Sequence, residues 1–186
     1  MTIGFAICGS YCTYEKIYPV LEQLSQNHTV IPILSHNAAH TDTRFGSASD
    51  HSRRIQEICG KEPICSIVDA EPIGPKKLLD ALIIAPCTGN TLAKLAHSIA
   101  DTPVTMAVKS HLRNGRPVII GISTNDGLSG AAENIGRLLN RKHFYFVPFG
   151  QDDPSGKPGS LIADFTQVEQ TLECAMSGLQ LQPLLI

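Results

Sequence analysis

The sequence contains no tryptophan and few aromatic residues of any kind. Phe, Trp and Tyr make up 5% of the 186 residues, whereas hydrophobic residues make up 42%. Aliphatic side chains and alanine therefore dominate the hydrophobic fraction, a composition that suits buried parallel strands covered by helices. A chain of this length can bury one sizeable core and is short for two ordinary domains. We therefore expect residues 1 to 186 to form a single domain.

An excess of positive charge and a long hydrophobic run are also missing. The chain has 15 Lys and Arg against 17 Asp and Glu, a net charge of −2. Nucleic-acid-binding domains carry a basic surface, so we expect no nucleic-acid partner. No hydrophobic run approaches the about 18 to 20 residues that span a bilayer, and the start, MTIGFAICGS, lacks the basic residues of a signal peptide. We expect no membrane association and a cytoplasmic location.

The six cysteines are scattered, without a repeated CxxC pair, so we expect reduced thiols rather than a disulfide or zinc framework. His36 and His40 have the spacing of two metal ligands on a helix, but the surrounding residues do not read as helical and no third ligand follows. We therefore predict no metal site. The GxxxxGK[ST] and GxSxG motifs are absent as well, which argues against a P-loop nucleotide site and a serine hydrolase.

Strand-like and helix-like segments alternate along the chain. This order predicts a doubly wound, flavodoxin- or Rossmann-like parallel α/β sheet with helices on both faces. Residues 35–50 and 150–160 read as irregular loops. The predicted strands are 3–8, 28–34, 64–68, 82–85, 117–122 and 144–147, and the predicted helices are 14–25, 51–59, 90–100, 105–112, 130–139 and 164–176.

Four segments rich in small or polar residues follow predicted strands: CGSYCT (8–13), SHN (35–37), PCTGNT (86–91) and STNDG (123–127). Open parallel sheets bind ligands at this edge. The first segment is equally consistent with an anion site and with an ordinary turn capped by Ser10 or Thr13. In PCTGNT, one polar residue would suffice to cap the following helix, so the density of Thr88, Gly89, Asn90 and Thr91 favours a ligand-binding loop.

Two further residues near these segments carry weaker hypotheses. Cys87 precedes a predicted helix, where a thiol pKa can be lowered. Because no partner base is identifiable, a small residue beside a ligand is the favoured interpretation. Arg44 lies in the long polar stretch after the second strand and could pair with an acidic ligand.

Residues 80–105, DALIIAPCTGNTLAKLAHSIADTPVT, resemble the signature of the FMN-dependent cysteine decarboxylase family. That family has a Pro-x-x-x-Asn-Thr loop followed by an Ala-Lys-Leu-Ala-x-x-Ile-Ala-Asp helix. The resemblance extends over roughly residues 1–150 and includes the first loop, the segment ILSHNA and Phe45. It implies FMN as a cofactor. The residues that it implies at the FMN site are Gly9, Ser10, Ser35, Asn37, Pro86, Cys87, Thr88, Asn90 and Thr91.

The chain departs from the decarboxylase pattern at two places. The family has a catalytic His shortly before the strand that leads into the Pro-x-x-x-Asn-Thr loop, whereas residues 69–81 here, DAEPIGPKKLLDA, contain no His. The family's Pro-x-Met-Asn substrate motif is replaced by GISTND, in which only Asn125 matches the Asn. We therefore expect no decarboxylation.

The segments AEPIGPKK and FVPFGQDDP, together with the long stretch from APCTGNT to AAENIG, resemble the B-subunit family of dipicolinate synthases over nearly the whole chain. This resemblance implies oxidation of dihydrodipicolinate to dipicolinate, together with an A subunit, in the mother cell of a sporulating bacterium. A dicarboxylic substrate needs cations or hydrogen-bond donors, and Arg44 and Asn125 are the candidates here. No catalytic residue is identified.

Other interpretations remain open from the sequence. The A subunit could hold NAD(P) and perform the chemistry, which would leave this chain a non-catalytic partner with a vestigial flavin site. A stand-alone FMN-dependent decarboxylase is a further alternative. The related flavoproteins imply a homo-oligomer, either a trimer or a dodecamer.

Overall fold

A computed structural model describes all residues, 1–186, and arranges them as strands alternating with helices. Single turns of 3-10 helix lie at Tyr11–Thr13, Glu71–Ile73 and Phe165–Gln167. The strands are β1 (Thr2–Ile7), β2 (Thr29–Leu34), β3 (Ala81–Cys87), β4 (Val118–Thr124), β5 (Phe144–Phe146), β6 (Phe149–Asp153) and β7 (Lys157–Ala163). The helices are α1 (Tyr14–Asn27), α2 (His36–His40), α3 (Ala48–Cys59), α4 (Ile67–Ala70), α5 (Gly89–Ala96), α6 (Pro103–Leu112), α7 (Ala132–Leu139) and α8 (Val168–Met176).

The seven strands form one sheet in the order β2-β1-β3-β4-β7-β6, and β5 also pairs with β4. Strands β1 to β5 pair with one another in parallel, whereas β7 pairs with β4 and β6 in antiparallel fashion. The predicted doubly wound parallel sheet is confirmed. The antiparallel hairpin at one edge was not predicted.

The core is one cluster of 47 buried residues centred on β1, β3 and β4. Every residue of β3, ALIIAPC, is buried, as expected for a central strand with helices on both faces. Burying each large aliphatic side chain contributes about 1.5–3 kcal/mol, so the central strands form the rigid base from which the loops project. None of the helices combines the length and hydropathy that crossing a bilayer requires.

The predicted strand at 64–68 is wrong. Ile64 makes only an isolated bridge to Ile33, and the chain then turns into α4. The Ser66 hydroxyl accepts a hydrogen bond from the Asp69 amide and caps this helix, a local signal that outweighs the β-branched pair Ile67 and Val68. Both of these side chains are exposed, so no core contact holds them in a strand.

Two segments predicted to be irregular are ordered. Residues 36–40 form α2, which Ser35 caps by accepting a hydrogen bond from the Ala38 amide. The helix places the rings of His36 and His40 4.9 Å apart. Residues 150–160 contribute most of the β6–β7 hairpin. Its outer half is exposed on both faces, so it lacks the alternation of hydrophobic and polar residues that reveals a strand.

Candidate functional site

The crevice of this sheet lies between the loops that follow β1 and β3. The chain passes from β1 outward to β2 and then returns to the other side of β1 as β3. In open α/β sheets, the carboxyl edge at such a reversal of strand order is where ligands bind. We call this place the switch-point crevice, formed by residues 8–13, 35–37, 86–91 and 123–127.

The loop after β1 connects the other three loops of the crevice. The Cys8 amide donates to the Pro86 carbonyl at 3.2 Å. The Ser10 and Ser123 hydroxyls lie 2.6 Å apart, and the Tyr11 hydroxyl donates to the Asn37 carbonyl at 2.8 Å. The four polar segments that the sequence places after strands therefore meet at one site.

The PCTGNT loop delivers the start of α5 to the crevice. Thr88 caps the helix by accepting from the Thr91 amide at 3.4 Å, and the Thr91 hydroxyl lies 3.3 Å from the Cys8 Sγ. The amides of Gly89 and Asn90 occupy the first two helical positions, which have no acceptor within a helix. The Asn90 side chain is exposed and takes no part in capping. The loop thus presents two backbone donors and a free amide, the arrangement that binds anions at helix starts.

Gly89 lies where no side chain fits. A Cβ at this position would lie 2.6 Å from Asp126 Oδ1 and 2.8 Å from Thr124 Oγ1. Asp126 is half-buried and accepts a hydrogen bond from the Thr124 hydroxyl. Asp126 therefore places a carboxylate directly against the start of α5. The sequence analysis singled out Asn125 in this segment and missed Asp126. The position of Asp126, two residues after the end of β4, could have indicated it.

The two cysteines of the crevice lie behind its surface. Cys8 and Cys87 are 1% and 0% exposed. Burial raises the pKa of the Cys8 thiol to about 11, and the Thr91 hydrogen bond only partly opposes this effect. Burial raises the pKa of Cys87 well above its ordinary value. Neither side chain has the thiolate character of a nucleophile, so the lowered pKa considered for Cys87 is wrong and this residue supports the loop from within the core.

The loop after β2 forms the outer side of the site. Ser35 is committed to capping α2, whereas the side chains of Asn37 and Asn125 are exposed and have no hydrogen-bond partner in the protein. Arg44 is also exposed, and its guanidinium lies 4.9 Å from the centre of the Phe45 ring. Arg44 shares no ion pair with an acidic residue and no hydrogen bond with the other three loops, so the structure leaves its charge available without placing it in the crevice.

A large cavity lies elsewhere in the chain. It has a volume of about 760 Å³ and is bounded by α1, residues 162–166 and the C-terminal Ile186. Its carboxylate, Asp164, already accepts hydrogen bonds from Thr166 and Gln167, and these bonds hold its pKa below the usual value. No loop that follows a parallel strand of the sheet opens into this cavity, so we assign the candidate site to the crevice.

The donor set of the crevice fits a phosphate-bearing cofactor such as FMN. Hydroxyls, backbone amides and a free side-chain amide can surround a phosphate without a lysine. Gly9 lies beside this donor set, and a Cβ there would make only ordinary contacts with Tyr11 and Asn37. The crevice contains no group of three or more His, Cys, Asp or Glu that could hold a metal ion.

Comparisons with known proteins identify the family of the chain. The model of the Flavoprotein family matches residues 1–148. The B subunit of dipicolinate synthase from Bacillus subtilis (strain 168) is 47% identical over 185 residues, which cover 99% of this chain and 92% of that protein.

Two solved structures resemble the fold. The B subunit of dipicolinate synthase from Bacillus halodurans C superposes with a TM-score of 0.91 at 45% identity and covers 100% of this chain and 95% of its own. The FMN-dependent cysteine decarboxylase SpaF superposes with a TM-score of 0.69 at 23% identity and covers 94% and 97% of the two chains. At that identity the second similarity concerns the fold alone.

Proposed function

The chain belongs to the flavoprotein family, and on this premise we propose that it works as the B subunit of a dipicolinate synthase, oxidising dihydrodipicolinate to dipicolinate together with an A subunit. The 47% identity to such a chain over nearly the full length supports this proposal. The action of that enzyme in spore formation, in the mother cell, is part of the same proposal.

We propose FMN as the cofactor of the switch-point crevice. The observation that carries this assignment is the start of α5, where Thr88 alone caps the helix and Asn90 stays free. Gly9, Ser10, Ser35, Asn37, Pro86, Thr88, Asn90 and Thr91 would surround the group, with Cys87 packed behind them. Bound FMN would supply the acceptor for the hydride that the substrate loses.

The protein itself must orient the substrate and remove a proton from it. Conversion of a dihydropyridine to a pyridine removes a hydride and a proton, and the product gains an aromatic ring. Asp126 is the carboxylate that lies against the PCTGNT loop, so we propose that it acts as the general base that accepts the proton. Asn125 is the exposed group of the crevice that can bind one substrate carboxylate, and we propose that Arg44, which lies outside the four loops of the crevice, binds the other.

The sequence and structure of residues 69–81 argue against a decarboxylase function. The decarboxylase family has a catalytic His in this segment. In this chain the segment has no His and forms the end of α4 and a 3-10 turn that packs on α6. The Asn114 side chain donates to the Gly74 carbonyl at 3.1 Å. Because this segment serves helix packing, we expect no CO2 release from a peptidyl or pantothenoyl cysteine.

One observation favours a second candidate, in which NAD(P) is held by the A subunit and this chain shapes the substrate site. Asp126 lies against Gly89 at the start of α5, where its charge opposes a flavin phosphate. Reconstituting the oxidation with the A subunit alone, with this chain alone and with both, each with FMN or NADP, separates the two. Activity that needs this chain and FMN supports our proposal, whereas activity with NADP and without FMN, from the A subunit alone or from both chains together, contradicts it.

Flavin binding has its own test. We expect Asn90→Asp to abolish binding of FMN, because the new carboxylate repels the phosphate and removes an amide donor. Asn140→Asp, which adds the same charge at the exposed end of α7, is the matched control. Quenching of FMN fluorescence measures both. Equal binding by the two variants would refute the placement of the cofactor.

We also propose that the chain forms a homo-oligomer. Hydrophobic side chains near the C-terminus are exposed, with Leu179 at 63%, Leu185 at 71% and Ile186 at 59%. Neighbouring exposed side chains of this kind favour contact with another copy. Light scattering of the purified chain gives the mass, and a monomer would contradict this part of the proposal.

A further inference from the structure

A second pocket lies at the opposite edge of the sheet from the switch-point crevice. It has a volume of about 380 Å³ and is formed by the end of α5, the residues that follow it, the second half of α6, Arg141 and Phe144. Helix α5 runs from the carboxyl edge of the sheet back to the amino edge. Its eight residues therefore separate the two sites by about 12 Å. We call this second site the amino-edge pocket.

The walls of the amino-edge pocket are hydrophobic. Leu95, Val108 and Phe144 are buried behind its surface, and Leu112 is half-buried. Ile99 is 47% exposed beside them. A pocket of several hundred cubic ångströms lined by such side chains has the size and character of a small-molecule site.

The rim of the pocket is positive. Lys109 and Arg113 lie four residues apart on one side of α6, where like charges repel each other. Both side chains are exposed and neither forms an ion pair or a hydrogen bond with the protein. No Asp or Glu lines the pocket, although acidic residues outnumber basic ones in the chain as a whole.

A third cation is held in place behind the rim. The Arg141 guanidinium donates to the carbonyls of Leu95 and Ala96 at 3.0 and 2.7 Å. These bonds satisfy the C-terminal end of α5 and fix the position of the charge. The pocket thus combines a hydrophobic interior, one positioned guanidinium and two cations without partners.

We propose that the amino-edge pocket binds a small planar aromatic carboxylate. Its ring lies against Ile99, Leu112 and Phe144. Its carboxylate lies between Lys109 and Arg113, where it relieves the repulsion between these two cations, and it accepts a charge-assisted hydrogen bond from the positioned Arg141 guanidinium. The chemistry of the pocket carries this proposal whether or not the chain takes part in the oxidation. Pyridine-2,6-dicarboxylate, the product of the proposed function, belongs to this class, so the pocket is a site at which that product would bind apart from the crevice.

Titration of the full chain with pyridine-2,6-dicarboxylate tests the proposal, in metal-free buffer because the probe chelates metals. Amide chemical shifts in NMR spectra locate the binding, and calorimetry gives the affinity. We expect Lys109→Ala/Arg113→Ala to weaken binding by about tenfold or more. Arg53→Ala/Lys61→Ala removes two exposed cations elsewhere and is expected to leave binding unchanged. Inorganic phosphate, an anion without a ring, is expected to bind more weakly than the probe.

Other results would overturn the proposal. Equal weakening by both double variants indicates non-specific attraction, and equal binding of phosphate indicates an anion patch without a ring site. Loss of binding in Asn90→Asp but not in Lys109→Ala/Arg113→Ala places the probe in the switch-point crevice. A change of oligomeric state in the α6 variant, without any probe binding to the parent chain, identifies the pocket as a contact between copies. None of these measurements uses FMN or the oxidation, so failure here and failure of the proposed function are distinguishable.

Discussion

Burial assigns different roles to the ionisable residues of the switch-point crevice. The Cys8 and Cys87 thiols are enclosed by the core, and desolvation raises the pKa of each. Asp126 keeps partial contact with solvent and accepts one hydrogen bond from Thr124. The Asp126 carboxylate is thus open to solvent, whereas the buried thiols cannot exchange their protons readily. Asp126 is therefore the residue that we propose as the proton acceptor.

Asp126→Asn tests this role at the scale of a single residue. We expect the oxidation rate to fall by about 10²- to 10⁴-fold, the usual effect of removing a general base. FMN binding is expected to stay equal or to tighten, because a negative charge beside the cofactor loop is lost. Single-turnover kinetics with the A subunit measures the rate, and fluorescence quenching measures the binding.

Asp152→Asn is a control for Asp126→Asn, because Asp152 pairs with Lys157 on the exposed hairpin. A rate for Asp126→Asn that matches this control would remove Asp126 from the mechanism. Loss of FMN binding in Asp126→Asn would instead show that the carboxylate supports the loop structure.

The elements that sequence patterns predicted well are those with strong periodicity or a buried apolar run. Strands β1, β3 and β4 and helix α1 are of this kind. The PCTGNT loop was singled out because Thr88 to Thr91 carry more polar groups than a cap requires, and its role as a cofactor loop stays a prediction. Helices α2 and α4 were missed because they have only five and four residues, too few to show a helical period. Asp126 was missed because its importance depends on a contact with Gly89, 37 positions earlier in the chain.

The turn that replaces the decarboxylase His segment gives a prediction at the scale of elements. Gly74 packs so closely on the backbone of α6 at Ser110 that a Cβ would overlap the carbonyl. We expect Gly74→Ala to lower the free energy of unfolding by about 1–3 kcal/mol, the usual cost of overpacking. Gly136→Ala is the matched control, because a Cβ in the exposed interior of α7 meets nothing within 4 Å.

We expect Gly136→Ala to raise the free energy of unfolding by about 0.5–1 kcal/mol, since alanine favours the helix. Urea denaturation measures both variants. Two variants of equal stability would show that the contact between Gly74 and α6 does not constrain the turn.

At the scale of the whole molecule, the C-terminal tail completes the edge of the sheet. Leu185 makes a parallel bridge with Phe149 of β6, and the Ile186 amide donates to the Phe149 carbonyl at 3.2 Å. The tail thereby covers backbone groups that an edge strand would leave unpaired. The exposed Leu185 side chain then lies on a stabilised edge, which makes this surface suitable for contact with another copy.

The stability of the whole molecule is expected to depend on His111. This side chain is fully buried, and its Nε2 donates to the Pro117 carbonyl at 3.1 Å, while its Nδ1 has no partner. Burial lowers its pKa from 6.5 to about 4, with the Pro117 hydrogen bond opposing the shift. Between these two values the unfolded chain binds a proton that the folded chain does not bind. The contribution of neutral His111 is therefore complete above about pH 6.5 and is lost as the pH falls towards about 4.

We expect the free energy of unfolding to be about 2 kcal/mol lower at about pH 5 than at about pH 7, since one pKa unit corresponds to about 1.4 kcal/mol. Urea denaturation at the two pH values measures this difference.

His111→Gln keeps a donor for the Pro117 carbonyl but cannot titrate, so it should lose most of the pH dependence even where it is less stable at both values. His97→Gln, which changes an exposed histidine, should retain the dependence. If His111→Gln and the parent chain show the same slope, the acid sensitivity arises from other groups, and His111 does not limit the stability of the fold.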